Sequence, residues 1–457
     1  MRIVFVGPFA LQPKRTMAVR ALPLARALVK RGHEVSVVLP PWDWPKNSGQ
    51  CWDDAGVEIR NVRLPASVPL WSHVELTSRL VRTTLDLHPD IVHCFKPKAY
   101  AGLTAWTLWQ LRRIVVGRAA LFTDSDDWEG AGGWNSLAQY SVAQRHLFAR
   151  QEKWGLTHHD GLTVASRALE SIAWSLGVAR DKVLYLPNGG RPTDEPRSEA
   201  VAAARQRLGV TSSQVALLYT RFFEFGLDRV LEVLKGVWQQ APNTHWLVVG
   251  KGLFGEEREL EKRVAEVAAE GRFHYAGWVP EDELPAMLAL ARVAIYPFDD
   301  NLVNRCKCPV KLTDLMSAGI PVVADGVGQI AEYIVHGQSG LLVRPGDTEE
   351  LVRHTVDLLN DPDRARLIGQ EAKKRILSIF AWERLTAQVA DFLQETLQPK
   401  GIAVVIESAH MCATLRGVKK ANARMVTRTF RGEFEQDADL RREFLDHISR
   451  PYNQELF

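Results

Sequence analysis

The stretch Lys311-Leu-Thr-Asp314-Leu-Met-Ser-Ala-Gly319-Ile-Pro321-Val-Val-Ala324 contains a helix, a break and a strand in succession. Asp314 lies in the first turns of the helical part, and Gly319 and Pro321 end the helix before the apolar strand begins. The N-terminus of such a helix offers free backbone N–H groups and a partial positive charge to a diphosphate. An acid on the adjoining face can accept hydrogen bonds from ribose hydroxyls. The alternative is an ordinary amphipathic helix with a solvated Asp314.

Strands and helices alternate on both sides of this stretch. Continuous apolar runs, as expected of parallel strands covered on both faces, recur along the chain and are separated by helix-like sequence. They are Ile3–Val6, Val35–Leu39, Ile91-Val92, Ala120–Phe122, Leu162–Val164, Val183–Leu186, Val215–Tyr219, Trp246–Val249, Val293–Tyr296, Pro321–Ala324 and Gly340–Val343. The pattern predicts βαβ units and therefore α/β domains with parallel, doubly wound sheets.

A polar, proline-rich stretch from Asn188 to Glu199 separates two halves with this pattern. The chain has 457 residues, which is too many for one core and favours two domains plus an appendage. We predict domains over residues 1–190 and 191–397, the second ending in a crossover helix, and a small α+β appendage over residues 398–457. Two α/β domains joined by a hinge have a cleft between the carboxyl ends of their sheets, where open sheets bind ligands.

Composition narrows the class of protein. Hydrophobic residues make up 46% and charged residues 24% of the chain, as in a soluble enzyme, and a net charge of +3 is too small to indicate a nucleic-acid partner. The five cysteines contain no Cys-x-x-Cys pair, which favours the cytoplasm. We expect neither a signal peptide nor a transmembrane span. The helical stretch from Trp106 to Arg118 indicates either peripheral contact with the inner face of an anionic membrane or a core helix with a basic end.

Six motifs in series carry a family resemblance. They are Arg31-Gly-His-Glu-Val35, Asp90-Ile-Val-His93, Leu186-Pro-Asn-Gly189, Val249-Gly-Lys-Gly252, Ala276-Gly-Trp-Val-Pro280 and the stretch from Asp314 to Ala324. In this order they resemble glycosyltransferase family 4, whose members are retaining enzymes with the GT-B fold. The resemblance covers about residues 1–395. It implies two Rossmann-like domains facing a cleft, and the transfer of a sugar from a nucleotide-diphospho-sugar to a hydroxyl of a glycan or lipid-linked acceptor.

The resemblance also implies roles for residues of the second half. Arg221 matches a basic residue that contacts the donor diphosphate, and we count it among the catalytic residues. Gly250 and Gly252 match the loop that lets the nucleotide approach the backbone. Val279 matches a position whose main chain contacts the base. Asp314 matches the acid that holds the donor ribose.

Three departures from the family pattern bear on this site. Cys306, followed by Lys307, stands where the family has a glutamate, and Phe222–Gly226 replaces a stretch that has a lysine. Pro13–Thr16 stands in place of the family's glycine-rich loop after the first strand. A diphosphate still needs cations where negative charge develops. Lys307 and Lys311 are the candidates for this role, and the alternative is that both are solvated.

The acceptor side is predicted in the first half. Thr123–Trp134 follows a predicted strand and combines carboxylates, glycines and two tryptophans, as in a rim that binds a sugar. Related enzymes have here a His or Asp that faces the anomeric carbon of the donor. Asp126 and Asp127 are equal candidates for this acid. The alternative is an acidic turn that the tryptophans anchor to the core.

Other candidates on this side are less specific. His93 ends its own strand and is either an active-site residue or a core histidine. Lys14 and Arg15 either bind a phosphate on the acceptor or are plain surface charge. The resemblance implies transfer without a metal or other cofactor, and we find no cluster with metal-ligand spacing in either half. The departure at Cys306 leaves a second reading open, a protein that binds a nucleotide sugar or glycan without turnover.

From about Glu383 the chain resembles a second family, GTP cyclohydrolase I. The matching segments include Gly401–Cys412 and Arg416-Gly-Val418. The resemblance implies that Cys412 matches a zinc ligand and His410 a catalytic residue. It also implies that Glu383 and Arg416 match positions that hold the guanine and the triphosphate.

The tail lacks most of a cyclohydrolase site. A catalytic zinc needs three protein ligands, and the chain has no Cys-x-x-His segment to supply the two that Cys412 lacks. We therefore predict a fusion whose tail is inactive alone, with the strands Ile402–Ile406 and Met425–Thr429 forming at best a hairpin. Completion of the site by a full-length partner is the alternative.

Overall fold

The computed structural model describes residues 1–66, 71–114, 119–267, 271–397, 401–409 and 424–449. These residues form two compact units. The first unit consists of Met1–Ala165 and Leu169–Leu186 together with the described residues from Trp382 onward. The second unit consists of Ser166–Ala168 and Pro187–Ala381. Each unit is an α/β structure on its own sheet, as the alternation of apolar runs predicts.

The first unit contains an eight-stranded sheet. Its strands are β1 (Arg2–Val6), β2 (Glu34–Leu39), β3 (Cys51–Asp54), β4 (Val57–Asn61), β5 (Ile91–Phe95), β6 (Ala120–Ser125), β7 (Gly161–Val164) and β8 (Val183–Tyr185). Their order is β3-β4-β2-β1-β5-β6-β7-β8, and neighbours are parallel except for β3 and β4. Every residue of β5 and β6 is buried, as expected of central strands covered on both faces.

Helices connect these strands. They are α1 (Leu22–Val29), α2 (Trp71–Asp86), α3 (Ala99–Ile114), α4 (Trp134–Leu137), α5 (Val142–Gly155) and α6 (Arg167–Ser175). A π-helical turn at Met17–Ala21 leads into α1, and Pro23 lies in the first turn of α1, where a missing N–H costs little. Ser141 begins α5 because its side chain accepts from the backbone N–H of Gln144 and the Gln144 side chain reaches back.

The second unit contains a six-stranded parallel sheet in the order β11-β10-β9-β12-β13-β14. Its strands are β9 (Val215–Tyr219), β10 (His245–Val249), β11 (Phe273–Gly277), β12 (Val293–Tyr296), β13 (Val322–Asp325) and β14 (Leu341–Val343). Its helices are α7 (Ser198–Leu208), α8 (Leu227–Gln240), α9 (Glu256–Ala265), α10 (Leu284–Leu288), α11 (Leu302–Cys306), α12 (Val310–Ser317), α13 (Ile330–Tyr333), α14 (Thr348–Asn360) and α15 (Pro362–Ser378). The helix and strand predicted around Gly319 are therefore confirmed as α12 and β13.

Helix α16 (Trp382–Leu397) leaves the second unit and packs on the first. Its buried face consists of Trp382, Leu385, Val389, Phe392 and Leu393, which belong to the same core as β1 and α1. Arg31 Nη2 donates to the carbonyl of Glu383 at 2.6 Å and fixes the start of the helix. The predicted crossover helix thus completes the core of the first unit.

The described part of the tail forms a hairpin, as predicted. Strands β15 (Gly401–Ala409) and β16 (Arg424–Gly432) pair in antiparallel register, and α17 (Glu433–Gln436) and α18 (Ala438–Ser449) follow. His410, Cys412 and Arg416 lie outside the described residues.

Three strands carry no continuous apolar run and escape the sequence prediction. β3 and β11 lie at sheet edges, and β4 alternates, with Val57 and Ile59 buried and their neighbours half-buried. Continuous runs indicate strands that are covered on both faces, whereas strands near an edge need only one apolar face. Every predicted run lies in or overlaps an observed strand.

In the part of the chain that the structure describes, no helix has the length and apolar character to cross a bilayer. Helix α3 contains residues 106–114 of the stretch considered for membrane contact, and residues 115–118, including Arg118, lie outside the described residues. Trp106 is 49% exposed. Arg112 is held within the unit, because it pairs with Asp160 at 2.6 Å and its guanidinium lies 3.8 Å from the centre of the Trp109 ring.

The packing of α16 gives a test of stability. The Phe392 ring lies 5.8 Å from that of Phe122 on β6, and the residue is 6% exposed. We expect Phe392→Ala to lower the free energy of unfolding by about 3–5 kcal/mol, because the cavity is not refilled. Leu367→Ala, at a residue of α15 that is 60% exposed, is the control and should change it by less than about 0.5 kcal/mol. Equal effects in a urea titration would contradict the placement of α16.

Candidate functional site

A buried ion pair lies at the carboxyl end of β6. Arg20 donates to Asp124 from Nε at 2.7 Å and from Nη2 at 2.5 Å, and both side chains are 1% exposed. Arg20 Nη1 also donates to the carbonyl of Leu186 at 2.8 Å, and Thr163 Oγ1 donates to Asp124 at 2.5 Å. This two-pronged pair therefore joins the turn before α1 to β6, β7 and the segment after β8.

His93 is part of the same network. Its Nε2 lies 3.1 Å from Thr163 Oγ1, and its ring packs against Phe5 and Phe95 with centroid distances of 5.4 and 4.7 Å. Burial lowers the pKa of His93 to about 4, so the ring is neutral near pH 7. These contacts are those of a core histidine. A direct contact of His93 with an acceptor stays a prediction.

Lys96 organises the loop that follows β6. It comes directly after β5, and its Nζ lies 3.0 Å from Asp126 Oδ1, 2.9 Å from Asp127 Oδ2 and 3.7 Å from Glu129 Oε1. Burial lowers the pKa of Lys96, but the three carboxylates raise it well above its usual value. The predicted acceptor loop is therefore an acidic turn held by an internal ammonium ion, and both candidate acids face that ion.

Two acids near Lys96 favour the protonated form. Burial raises the pKa of Asp126 to about 7, with Lys96 opposing and Asp127 adding to the shift. Burial also raises the pKa of Glu152 well above its usual value. Glu152 Oε1 accepts from Ser125 Oγ at 3.0 Å, and its Oε2 is buried without a hydrogen-bond partner. An acid with a pKa near neutrality can accept and release a proton under physiological conditions, which suits Asp126 to acid–base work.

Two further cations lie in these loops. Lys98 Nζ donates to Glu129 Oε2 at 2.6 Å and to Tyr140 OH at 2.8 Å. Lys14 Nζ lies 4.3 Å from the centre of the Trp42 ring. Burial lowers the pKa of Lys14, and Lys98 is among the cations that add to the shift.

Arg15 follows Lys14 and is half-buried at the start of the π-helical turn. Lys14 lies close to the acidic loop, since Glu129 of that loop acts on its pKa. Binding of an acceptor phosphate by Lys14 or Arg15 stays a prediction.

In the second unit, the ends of three strands are joined by backbone hydrogen bonds. Thr220 N donates to the carbonyl of Val249 at 3.0 Å, and Gly250 N donates to that of Gly277 at 2.8 Å. Gly250 has φ +128°, and a Cβ there would lie 1.9 Å from the Thr220 carbonyl oxygen. Only glycine fits this position, because the backbone of Thr220 lies so close to it. The approach of a nucleotide to this loop stays a prediction.

Gly252 and Val279 lie on neighbouring loops of the same sheet edge. Gly252 N donates to Glu257 Oε2 at 2.9 Å, at the start of α9. Val279 follows β11 and stands beside Trp278, which is 59% exposed. Their contacts with a nucleotide stay predictions.

Glu224 is the centre of the charged groups after β9. Its Oε1 accepts from Lys307 Nζ at 2.6 Å, and its Oε2 accepts from Thr220 Oγ1 at 3.1 Å and from Arg221 N at 3.3 Å. Its side chain is 3% exposed. Burial raises the pKa of Glu224, but the cations Lys307 and Lys311 lower it by more, so the group is ionised.

Lys311 and Asp314 approach this group from α12. Lys311 Nζ lies 3.5 Å from the centre of the Tyr219 ring, and Tyr219 OH donates to Asp314 Oδ2 at 3.5 Å. Burial lowers the pKa of Lys311 to about 7, while Glu224 and Asp314 oppose the shift and Arg221 adds to it. One sheet edge thus holds three basic side chains and the candidate ribose acid.

The structure therefore groups most of the predicted residues of each half at one sheet edge. His93 is an exception, because it lies in the middle of β5 (Ile91–Phe95) and does not end the strand as predicted. Sequence reasoning missed the residues that hold them in place, namely Lys96, Glu152, Tyr219 and Glu224. Lys96 gives a signal, because it is a charged residue directly after a fully buried strand. Glu224 gives a weaker one, a single acid within the apolar run Phe222–Gly226.

Three family profiles match successive parts of the chain. Residues 15–189 match the glycosyl transferase 4-like domain, and residues 214–361 match the profile described as glycosyl transferases group 1. Residues 363–449 match GTP cyclohydrolase I.

Individual relatives cover different parts of the chain. It is 28% identical over 385 residues to the GDP-mannose-dependent alpha-(1-6)-phosphatidylinositol monomannoside mannosyltransferase of Mycobacterium tuberculosis, covering 81% of this chain and 92% of that protein. It is 46% identical over 92 residues to GTP cyclohydrolase 1 of Gloeobacter violaceus, covering 19% of this chain. The chain spans 42% of that cyclohydrolase, which is less than half of its length.

Solved structures share the fold. HepE of Anabaena, in complex with UDP and glucose, has a TM-score of 0.64 at 18% identity, covering 86% of this chain and 99% of that one. Sucrose-phosphate synthase from Thermosynechococcus elongatus has a TM-score of 0.63 at 21% identity, covering 87% and 99% of the two chains. The predicted GT-B fold is therefore confirmed.

The Lys96 cluster gives a test with a defined pH dependence. Lys96→Met leaves three carboxylates without their cation, and we expect the free energy of unfolding at pH 7 to fall by about 3–5 kcal/mol. The acids in the variant then have raised pKa values, so the loss should shrink as the pH falls and they become protonated. Lys46→Met, at an exposed lysine of the first unit, is the control. A loss that stays constant between pH 7 and pH 5 would contradict the assigned ion pairs.

Proposed function

Because residues 15–189 and 214–361 belong to the glycosyltransferases of the GT-B fold, we propose that the chain transfers a sugar from a nucleotide-diphospho-sugar to a hydroxyl group with retention of the anomeric configuration. One observation carries this proposal. Arg221, Lys307, Lys311 and Asp314 meet at the carboxyl edge of one parallel sheet, where open α/β sheets bind their ligands.

The charges of this edge suit a leaving diphosphate. Breaking the bond between the sugar and the diphosphate moves negative charge onto the phosphate, and fixed cations stabilise that charge. Arg221, Lys307 and Lys311 would provide this stabilisation from side chains. We therefore propose that the reaction needs no metal ion, and EDTA should leave turnover unchanged. Asp314 would accept from the ribose hydroxyls.

Asp126 is the proposed acceptor-side acid. Its raised pKa suits it to accept a hydrogen bond or proton from the attacking hydroxyl, while the leaving diphosphate assists in removing that proton. Lys96 would hold Asp126 and Asp127 in place. Lys14 and Arg15 are proposed to bind a phosphate of the acceptor. The name of the relative that acts on a phosphatidylinositol monomannoside supports a lipid-linked acceptor. We propose that the chain reaches this acceptor from the cytoplasm, at the inner face of the membrane.

A direct experiment follows from this proposal. A thermal-shift series with UDP-glucose, GDP-mannose, ADP-glucose and TDP-glucose identifies the donor class, because a ligand that binds only the native state raises apparent stability. Slow hydrolysis of the stabilising donor, with the released sugar in the α configuration for an α donor, would support a retaining transferase. Stabilisation without any turnover on glycan or lipid-linked acceptors would favour the binding protein instead.

The tail supports a second candidate function. Its 46% identity to a cyclohydrolase over 92 residues favours a contribution to GTP cyclohydrolase activity that a full-length partner subunit would complete. Zinc binding and GTP-dependent formate release by the chain mixed with a full-length cyclohydrolase subunit, above the values for that subunit alone, would support it. Removal of residues 398–457 should abolish those signals and leave glycosyl transfer unchanged.

Asp314 provides a test of the donor site. Asp314→Ala should weaken binding of the best sugar nucleotide by about 1.5–3 kcal/mol, since a charged hydrogen-bond acceptor for the ribose is lost. The matched control is Asp363→Ala, at an aspartate of α15 whose side chain is 83% exposed. Calorimetric titration measures both. Unchanged affinity in Asp314→Ala would remove Asp314 from the site.

Asp126 provides a test of the acceptor side. Asp126→Asn should lower turnover at least about 100-fold, because the acid–base group is lost, while donor affinity stays unchanged. Asp127→Asn should have a smaller effect, and Asp86→Asn, at an exposed position of α2, should have none. Steady-state transfer rates decide between them. Full activity in Asp126→Asn would mean that the acid only shapes its turn.

A further inference from the structure

Lys307 already has its counter-charge within the second unit. Its Nζ lies 2.6 Å from Glu224 Oε1, and the two side chains are 14% and 3% exposed. A charge-assisted hydrogen bond of this length is a strong one, and Glu224 is ionised. Glu224 therefore neutralises most of the positive charge of Lys307 before an anion binds.

Lys311 is held in a different way. Its Nζ lies over the face of the Tyr219 ring at 3.5 Å, a contact that favours the ammonium form but supplies no counter-charge. Glu224 and Asp314 face it as carboxylates, and Arg221 and Lys307 face it as cations. Tyr296 lies near Glu224 and Asp314, and burial raises its pKa well above the usual value, so Tyr296 is neutral.

The charges of this group nearly cancel before a ligand arrives. Arg221 and Lys307 balance Glu224 and Asp314, so the group is neutral with an uncharged Lys311 and has one net positive charge with a protonated one. A nucleotide-diphospho-sugar brings a negative charge on each phosphate. An anion next to a buried amine favours the charged form of that amine.

Resting on the donor site proposed above, we propose that Lys311 is the proton-accepting residue of that site, which takes up a proton from solvent when the donor diphosphate binds. The proton adds to the lone pair of Nζ, the neutral amine becomes an ammonium ion, and the buffer loses one proton. The new charge stays beside the diphosphate when the bond to the sugar breaks and the leaving group becomes more negative.

The pH dependence follows from the free protein. Burial lowers the pKa of Lys311 to about 7, so both forms are populated near neutral pH. Well below pH 7, Lys311 is already protonated and binding takes up almost no proton. Above pH 7, binding takes up almost one proton, and affinity falls about tenfold per pH unit until the higher pKa of the complex is reached.

Calorimetry of the full chain tests this coupling. The sugar nucleotide that stabilises the chain most, among UDP-glucose, GDP-mannose, ADP-glucose and TDP-glucose, is titrated at several pH values in PIPES and in imidazole, which contain no phosphate and differ in ionisation enthalpy. Sugar nucleotides are used because the terminal phosphate of a free nucleotide itself titrates near neutral pH, with a pKa of about 6. The dependence of the binding enthalpy on the buffer gives the number of protons taken up, which we expect to rise towards one between pH 6 and pH 8.

Variants separate the inference from the function. Lys311→Arg keeps a fixed charge and should bind with no proton uptake and no loss of affinity above pH 7. Lys311→Met should bind at least about tenfold more weakly at pH 6 and show no proton uptake. Lys374→Met, at a lysine of α15 whose side chain is 74% exposed, should match the unmodified chain.

Each outcome has a defined reading. Donor binding without proton uptake, or equal uptake in Lys311→Arg, would overturn the inference and leave the proposed transferase standing. If none of the four sugar nucleotides binds at any pH, the proposed function and the inference fail together. Proton uptake that is present in the unmodified chain and absent in Lys311→Arg would establish Lys311 as the acceptor.

Discussion

Charge buried at the carboxyl edge of a parallel sheet must be paired, and this constraint shapes both units. Arg20 and Asp124 form a two-pronged ion pair with almost no exposure at the end of β6. In the second unit, Arg229 contacts Asp325 at 2.8 and 2.9 Å at the end of β13. Breaking either pair would leave a buried, uncompensated charge, which costs several kcal/mol by order of magnitude. The loops that carry the candidate residues are therefore anchored to rigid strand ends.

The two sheet edges have opposite charge patterns around their centres. In the first unit the ammonium group of Lys96 is surrounded by three carboxylates, one of which also pairs with Lys98. In the second unit the carboxylate of Glu224 lies among the basic residues Lys307 and Lys311, and Asp314 is a second carboxylate at the same edge. An acid-rich edge can accept hydrogen bonds from sugar hydroxyls, whereas a cation-rich edge can hold phosphate. Lys96 and Glu224 each neutralise part of the charge around them. The free-energy cost of burying like charges together is therefore reduced at both edges.

The sequence predicts the strands and the positions of the candidate residues because both depend on local patterns. Apolar runs indicate the covered strands, and parallel strands bring their carboxyl ends to one edge. The partners of the candidate residues depend on contacts that are distant in sequence. Lys96 and Asp127 are 31 positions apart, and Lys307 and Glu224 are 83 apart. No spacing rule connects such pairs, so the sequence predicts Lys307 as a cation without revealing that Glu224 neutralises it.

Helix α16 packs in the core of the first unit, yet its sequence lies within the match to the cyclohydrolase family. The cyclohydrolase match begins at residue 363, inside α15, and includes all of α16. The apolar face of α16 nevertheless lies in the core of the first unit, next to β1 and α1. Family boundaries and architectural boundaries therefore disagree by some three dozen residues. A gene truncated at the family boundary would encode a first unit that lacks α16, whereas truncation after Leu397 would retain this helix. The segments defined by family matches are therefore not the segments that can be exchanged between proteins.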